Sequence, residues 1–167
     1  MKKMNLSFSG HRPDKIANFT PATEQTIRQA LNTELRKAYA AGYRRFLSGM
    51  APGFDLWAAD EVLKMRAESG YEEAELMAVV PYPAFSRSFD AQAKQLYNNA
   101  IAQASETIFI ADSYHHAVFS QRNDYLVEHS SMLLCYYEGT AGGTRYTVKK
   151  AARLGRPIIN IHLPELF

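Results

Sequence analysis

Four short stretches collect the residues best suited to holding an anion: Ser9-Gly10-His11-Arg12-Pro13, Ser48-Gly49-Met50-Ala51-Pro52-Gly53, Pro81-Tyr82-Pro83 and Gly139 to Thr144. Glycines immediately before a helical pattern leave backbone N–H groups unpaired and pointing outward, and the helix dipole adds partial positive charge at the same place. Gly49 and Gly53 flank one such turn, and Gly142-Gly143-Thr144 lead into another. Two helix starts converging on one site would suit a phosphate. Each loop taken alone is also what an ordinary turn needs, because glycine supplies turn geometry in most connections between strand and helix.

The elements that must position these loops alternate in type. Strand-like runs are read at 4–9, 43–48, 75–80, 107–111, 132–137 and 157–161. Between them lie helical patterns. The first starts at Thr20-Pro21, a capping residue followed by a first-turn proline, and stops at Gly42; the others run over about 54–69, 84–104, 117–130 and 144–154. Ile27, Ala30, Leu31, Leu35 and Ala38 mark the buried face of the first helix. Strands joined by helices of this length require right-handed crossovers. The expected fold is therefore α/β and Rossmann-like: three layers, a mostly parallel sheet of about six strands, and helices on both faces, in a single domain spanning 1–167. Ligands in such sheets bind beyond the carboxyl ends of the strands, which is where all four loops fall.

Composition narrows the function classes. The chain has 167 residues, 47% of them hydrophobic, with 19 Lys and Arg against 17 Asp and Glu. A formal charge of +2 is far from the basic excess of a dedicated nucleic-acid binder, so nucleic acid is an unlikely partner on this criterion. The single cysteine, Cys135, sits in the apolar run SSMLLCYY and reads as a small buried hydrophobe. No signal peptide or membrane-spanning run is recognised, which gives the expectation of a cytoplasmic protein. Neither G-x-x-x-x-G-K-[ST] nor G-x-G-x-x-G occurs, so the loops match neither an NTPase phosphate loop nor a dinucleotide fingerprint. Adjacent His115 and His116 lack a third ligand, and no metal site or resident cofactor is assigned.

SGHRP at 9–13, SGMAPGFDLWAAD at 48–60, QRNDYLVEHSSMLLCYYEG at 121–139 and GGTRYTVKKA at 142–151 occur in this order over nearly the whole chain. Together they resemble the YpsA-like family of the SLOG superfamily, which is named for the DNA-processing protein DprA/Smf and the cytokinin-activating enzyme LOG. The resemblance implies a Rossmann-like sheet binding a nucleotide or nucleotide-derived ligand as a sensor or regulator. Carried onto this chain, it implies contacts from Gly10, His11 and Arg12; Ser48, Gly49 and Gly53; Arg122 and Asn123; and Gly142, Gly143 and Thr144. In LOG-type enzymes, which cleave the base from a nucleoside monophosphate, the motif P-G-G-x-G-T-x-x-E ends in a glutamate that assists the chemistry. Aligning its Gly-Thr with Gly143-Thr144 places Thr147 at the glutamate. An oxocarbenium-like transition state needs a carboxylate that threonine cannot supply. No catalytic residue is assigned; Glu128, Asp124 and Glu138 are the carboxylates that could substitute from neighbouring segments.

Other residues carry competing readings. Arg122 is either a clamp for phosphate, suited by its planar donor fork, or a surface arginine. Asp55 reads as an N-cap, structural unless it faces the site. His11 reads as partly exposed. Trp57 reads as helix core, whereas Tyr82, between two prolines at a strand end, is better placed to touch a ligand. Tyr114 and Phe119, read as exposed, suit a homodimer surface. The expected function is a nucleotide-ligand-binding regulatory module, with a regulatory protein partner compatible. The alternatives are a phosphoribohydrolase with a relocated carboxylate and, from the DprA side, single-stranded DNA binding.

Overall fold

A computed structural model describes residues 4–162. Six strands form one sheet: β1 (Met4–Gly10), β2 (Tyr43–Ser48), β3 (Glu75–Val80), β4 (Glu106–Phe109), β5 (Met132–Tyr136) and β6 (Ile158–Asn160). Every pairing is parallel, in the order β4-β3-β2-β1-β5-β6. The sequence expectation of a mostly parallel sheet is met in full. Five helices connect the strands: α1 (Pro21–Ala40), α2 (Phe54–Arg66), α3 (Ala91–Gln103), α4 (Val118–Glu128) and α5 (Gly143–Arg153).

Side-chain alternation along the strands sorts the layers. Leu6, Phe8, Phe46, Ala78, Val80 and Leu134 join α1, α2 and α3 in the main core. Their neighbours Leu47, Val79, Leu133 and Cys135 turn the other way, onto Leu126 and Val127 of α4 and Ala151 of α5. Because both faces are covered, the central strands read as nearly continuous apolar runs. Cys135 is fully buried, and burial pushes its thiol up to about 12, so it packs as a hydrophobe. Thr20 caps α1 in a reciprocal pair with Thr23, and Pro21 occupies the first turn.

The helix read at 84–104 is two elements. Pro83–Ser88 forms a 3-10 turn, the chain extends at Phe89, and α3 starts at Ala91 with Asp90 as its cap, its side chain accepting from the Ala93 N–H at 2.8 Å. Phe85, Phe89, Ala93 and Tyr97 are all buried at four-residue spacing, which imitates one continuous helical face. Asp90 holds extended backbone and breaks it. The aromatics from this turn form a cluster: Tyr82 packs edge-on to Phe85, Tyr114 and Phe119. Phe119 is half-buried there rather than exposed, while Tyr114 is exposed. Among the described residues, no helix is long and apolar enough to cross a membrane.

Candidate functional site

The strand order reverses between β1 and β5: the chain runs outward from β1 through β4, then returns to the far side of β1. The loops leaving β1 and β5 therefore diverge and leave a crevice at their carboxyl ends. A cleft of about 190 Å³ lies there. Its lining includes Gly10, His11, Arg12, Arg122, Asn123, Gly142, Gly143 and Thr144 from the expected set. It also includes Lys15, Asp55, Thr140 and Ala141.

Close packing explains several of these residue types. A Cβ on Gly10 would lie 2.5 Å from Phe54 Cβ and overlap the ring, so only glycine lets β1 end against the start of α2. Gly53 has φ +88° and serves as the N-terminal boundary of α2, and a Cβ there would meet the His11 carbonyl at 2.7 Å. Phe54 N–H donates to that same carbonyl at 3.3 Å, tying the β1 and β2 loops together. Gly49 presses against Arg122, whose guanidinium donates through Nη1 to the Gly49 carbonyl and through Nε to Asn123 Oδ1 at 2.8 Å. Gly143 differs, because a Cβ there would meet Asn123 Nδ2 at an ordinary 3.5 Å.

Asp55 is the residue that the sequence reading misplaced. Gly53, not Asp55, takes the cap position; Asp55 is the second residue of α2 and turns into the cleft. It is buried, and its Oδ1 has no hydrogen-bond partner. Burial raises its pKa to about 6, against the pull of the Arg122 and Arg12 guanidiniums and the Ala51 and Gly10 N–H groups. Arg122, equally enclosed, is held below its ordinary value by burial, with Asp55 opposing and Arg12 adding to the effect. A charge this deep persists only with a partner nearby. Glycine at the cap, rather than the capping aspartate the spacing suggested, was the available signal.

His11 is buried rather than partly exposed, and its Nε2 accepts the Glu138 N–H at 3.0 Å. Burial lowers its pKa, opposed by the Glu138 carboxylate, so the ring is a neutral clasp between the β1 and β5 loops. Of the substitute carboxylates, Glu138 turns away from the cleft and accepts from Ala17 N–H at 3.1 Å and from the Tyr136 hydroxyl at 3.2 Å. Asp124 pairs with Lys150 at 2.9 Å and accepts from the Tyr146 hydroxyl, and Glu128 pairs with the same lysine. All three lie outside the cleft lining. Thr147 is fully buried and donates to the Gly143 carbonyl at 2.9 Å, within its own helix. Asp55 is the carboxylate that lines the cleft.

Four other expected contacts are not brought there. Ser48 is buried, donating to the Asp55 carbonyl at 2.8 Å and accepting from Met50 N–H at 3.1 Å, which supports the left-handed turn at Met50, φ +66°. Gly49 stands behind Arg122, and Tyr82 belongs to the aromatic cluster beside β3 and β4. Gly53 lines a neighbouring groove instead. Trp57 is core, as read, stacked on Phe19 at 5.7 Å. Among the described residues, no group of three or more His, Cys, Asp and Glu is placed to hold a metal.

Comparison with family profiles matches residues 6–160 to YpsA, described as the YspA SLOG family. The chain belongs to that family. The YpsA match runs from β1 to β6 and so takes in every loop of the cleft. Among relatives, a UPF0398 protein of Bacillus velezensis is 26% identical over 170 residues, covering 96% of this chain and 92% of its own. Among solved structures, DNA processing protein A of Streptococcus pneumoniae superposes with a TM-score of 0.62 at 13% identity, over 93% of this chain and 49% of that one. The Helicobacter pylori protein of the same name, whose structure is titled for its single-stranded DNA binding mode, gives 0.64 at 17% identity, over 93% and 63%. At these identities the structures bear on the fold; this YpsA-family chain spans about half the length of the first and less than two thirds of the second.

Proposed function

We propose that the switch-point cleft binds a phosphorylated, hydroxyl-bearing ligand of the nucleotide class, and that the protein works as a ligand-responsive regulator. One observation carries the reading: a buried carboxylate with a free oxygen, Asp55, shares a small cleft with Arg12, Lys15, Arg122 and the N-terminus of α5. The cations and the α5 N–H groups supply an anion seat. Nε and Nη1 of Arg122 are engaged by Asn123 and Gly49, leaving Nη2 for a ligand oxygen. Asp55 Oδ1 offers an acceptor for a ligand hydroxyl. At about 190 Å³ the cleft is below the ~300–1,000 Å³ of typical small-molecule pockets. It suits the sugar-phosphate end of a nucleotide, with the base at the mouth. Thr147 at the position of the LOG-type glutamate, its hydroxyl committed to Gly143, supports binding over turnover.

The test is thermal unfolding against nucleoside mono-, di- and triphosphates, cyclic nucleotides, NAD, ADP-ribose, ribose 5-phosphate and inorganic phosphate. A ligand at 100 times its dissociation constant adds about 2.7 kcal/mol, several degrees at this size. The expected result is a shift with one nucleotide that ribose 5-phosphate partly reproduces. Flat response across the panel overturns the reading.

Asp55 also favours a second reading, N-glycoside hydrolysis of a nucleoside monophosphate, because it puts a carboxylate of raised pKa beside the seat for the sugar phosphate. That reading predicts free base released from the ligand that shifts the melt, and loss of release in Asp55→Asn. Binding without release leaves the regulator.

A further inference from the structure

A second cleft, of about 390 Å³, opens on the other side of the β2–α2 loop. Its floor is Leu56 and Trp57 of α2, and its walls come from Phe19 and Glu24 on one side and Asp90 and Leu96 on the other. It is thus a groove between α1 and α3 over the buried central helix. Its volume falls within the ~300–1,000 Å³ range of formed binding pockets. The sign of its charge is opposite to that of the switch-point cleft. Arg28, in its wall, is already held by Glu24 at 3.0 Å, Asp60 at 2.8 Å and Glu61 at 3.0 Å. Lys64 pairs at 3.4 Å with Asp60 and Glu61. On the groove lining, two carboxylates, Glu24 and Asp90, therefore face one cation, Arg28, which Asp60 and Glu61 also hold from outside the lining. Asp90 commits one oxygen to capping α3, and Glu24 remains partly exposed.

We infer that this groove docks a basic, partly apolar segment of a partner protein, with a guanidinium or ammonium group against Glu24 and Asp90 and an apolar side chain over Phe19 and Leu96. Charge complementarity selects the occupant: excess negative charge on the walls attracts a cation and rejects an acidic segment. The apolar floor distinguishes a peptide from a bare cation, since pockets between helices gain specificity from apolar anchors flanked by polar groups. This inference stands independently of the ligand proposed for the switch-point cleft.

Trp57 is the only tryptophan in the chain and lies on the groove floor, so its fluorescence reports occupancy directly. The experiment titrates the protein with a short synthetic peptide alternating arginine and leucine, with its glutamate-leucine counterpart, and with spermidine. The arginine-leucine peptide is expected to change Trp57 emission saturably and the other two are not. A Glu24→Gln/Asp90→Asn double variant should weaken that peptide about tenfold. Asparagine still caps α3, and Arg28 keeps Asp60 and Glu61, so the variant retains its fold. The inference is overturned by no response to the peptide, by equal response to both peptides, by unchanged affinity in the double variant, or by saturation with spermidine alone. A concentration-dependent emission change in the protein by itself would assign the groove to a second copy and overturn it as well.

Discussion

At Asp55, burial is set against charge. Its pKa of about 6 in the folded chain lies above the ordinary 3.8, so the native state binds the extra proton between those values. Stability from this group is full below about pH 4 and falls as pH rises through 6, by about 3 kcal/mol for a shift of roughly two units. Burying a charge with one oxygen unsatisfied is the cause. His11 runs the other way: its lowered pKa favours the fold above about pH 6.5 and is lost on acidification. The two slopes oppose each other in the native chain. Asp55→Asn should therefore gain about 3 kcal/mol relative to the native chain between pH 4 and pH 7. It should also expose the His11-driven loss below pH 6.5, in urea midpoints taken across that range. Parallel profiles would mean that Asp55 does not titrate as a buried acid. Gly143 tests the seat itself. Because a Cβ fits there, Gly143→Leu should leave the melting temperature within a few degrees while removing the ligand-induced shift. A shift that survived would place the ligand elsewhere.

At the scale of elements, the site depends on how closely β1, α2 and α4 approach. Gly10 allows the end of β1 to meet Phe54, and Gly10→Ala should cost about 3 kcal/mol in urea unfolding, since the Phe54 ring is enclosed and cannot yield. A cost below about 1 kcal/mol would show that α2 slides easily against β1. Gly49 lets Arg122 of α4 reach the β2 loop, so one arginine ties α4 to that loop. The strand and helix boundaries were legible at this scale because burial on both sheet faces writes continuous apolar runs, and helix faces write three-to-four spacing. The segment 84–104 was not: Phe85, Phe89, Ala93 and Tyr97 keep helical spacing across a break made by the backbone at Phe89 and Asp90. Periodicity records which side chains are buried, and two short elements packed on one core bury the same positions as one long helix.

For the whole molecule, net charge hides how the charge is distributed. The chain carries +2, yet three cations gather at the switch-point cleft and excess carboxylates at the neighbouring groove. The expectation that nucleic acid is an unlikely partner rests on that net charge alone, and the local charge at the cleft supplies its test. If Arg12, Lys15 and Arg122 are the only grip, oligothymidylate binding should weaken with a log–log salt slope no steeper than about −2, from roughly −0.7 per phosphate over three cations. A steeper slope would reveal a basic surface away from the cleft. By itself the sequence determined the alternation of strands and helices, the parallel sheet, the family, and the loops that crowd its carboxyl edge, because each is encoded in local spacing and short motifs. Only the tertiary structure decided which loops share a cleft. The reversal of strand order between β1 and β5 joins His11 and Arg12 to Gly142–Thr144, and sends Tyr82 to an aromatic cluster and Gly53 to a different groove. It also decided that Asp55, not Glu128, Asp124 or Glu138, is the carboxylate of the cleft. Side-chain direction at the start of a helix depends on what packs against it, and residues far apart in the chain supply that packing.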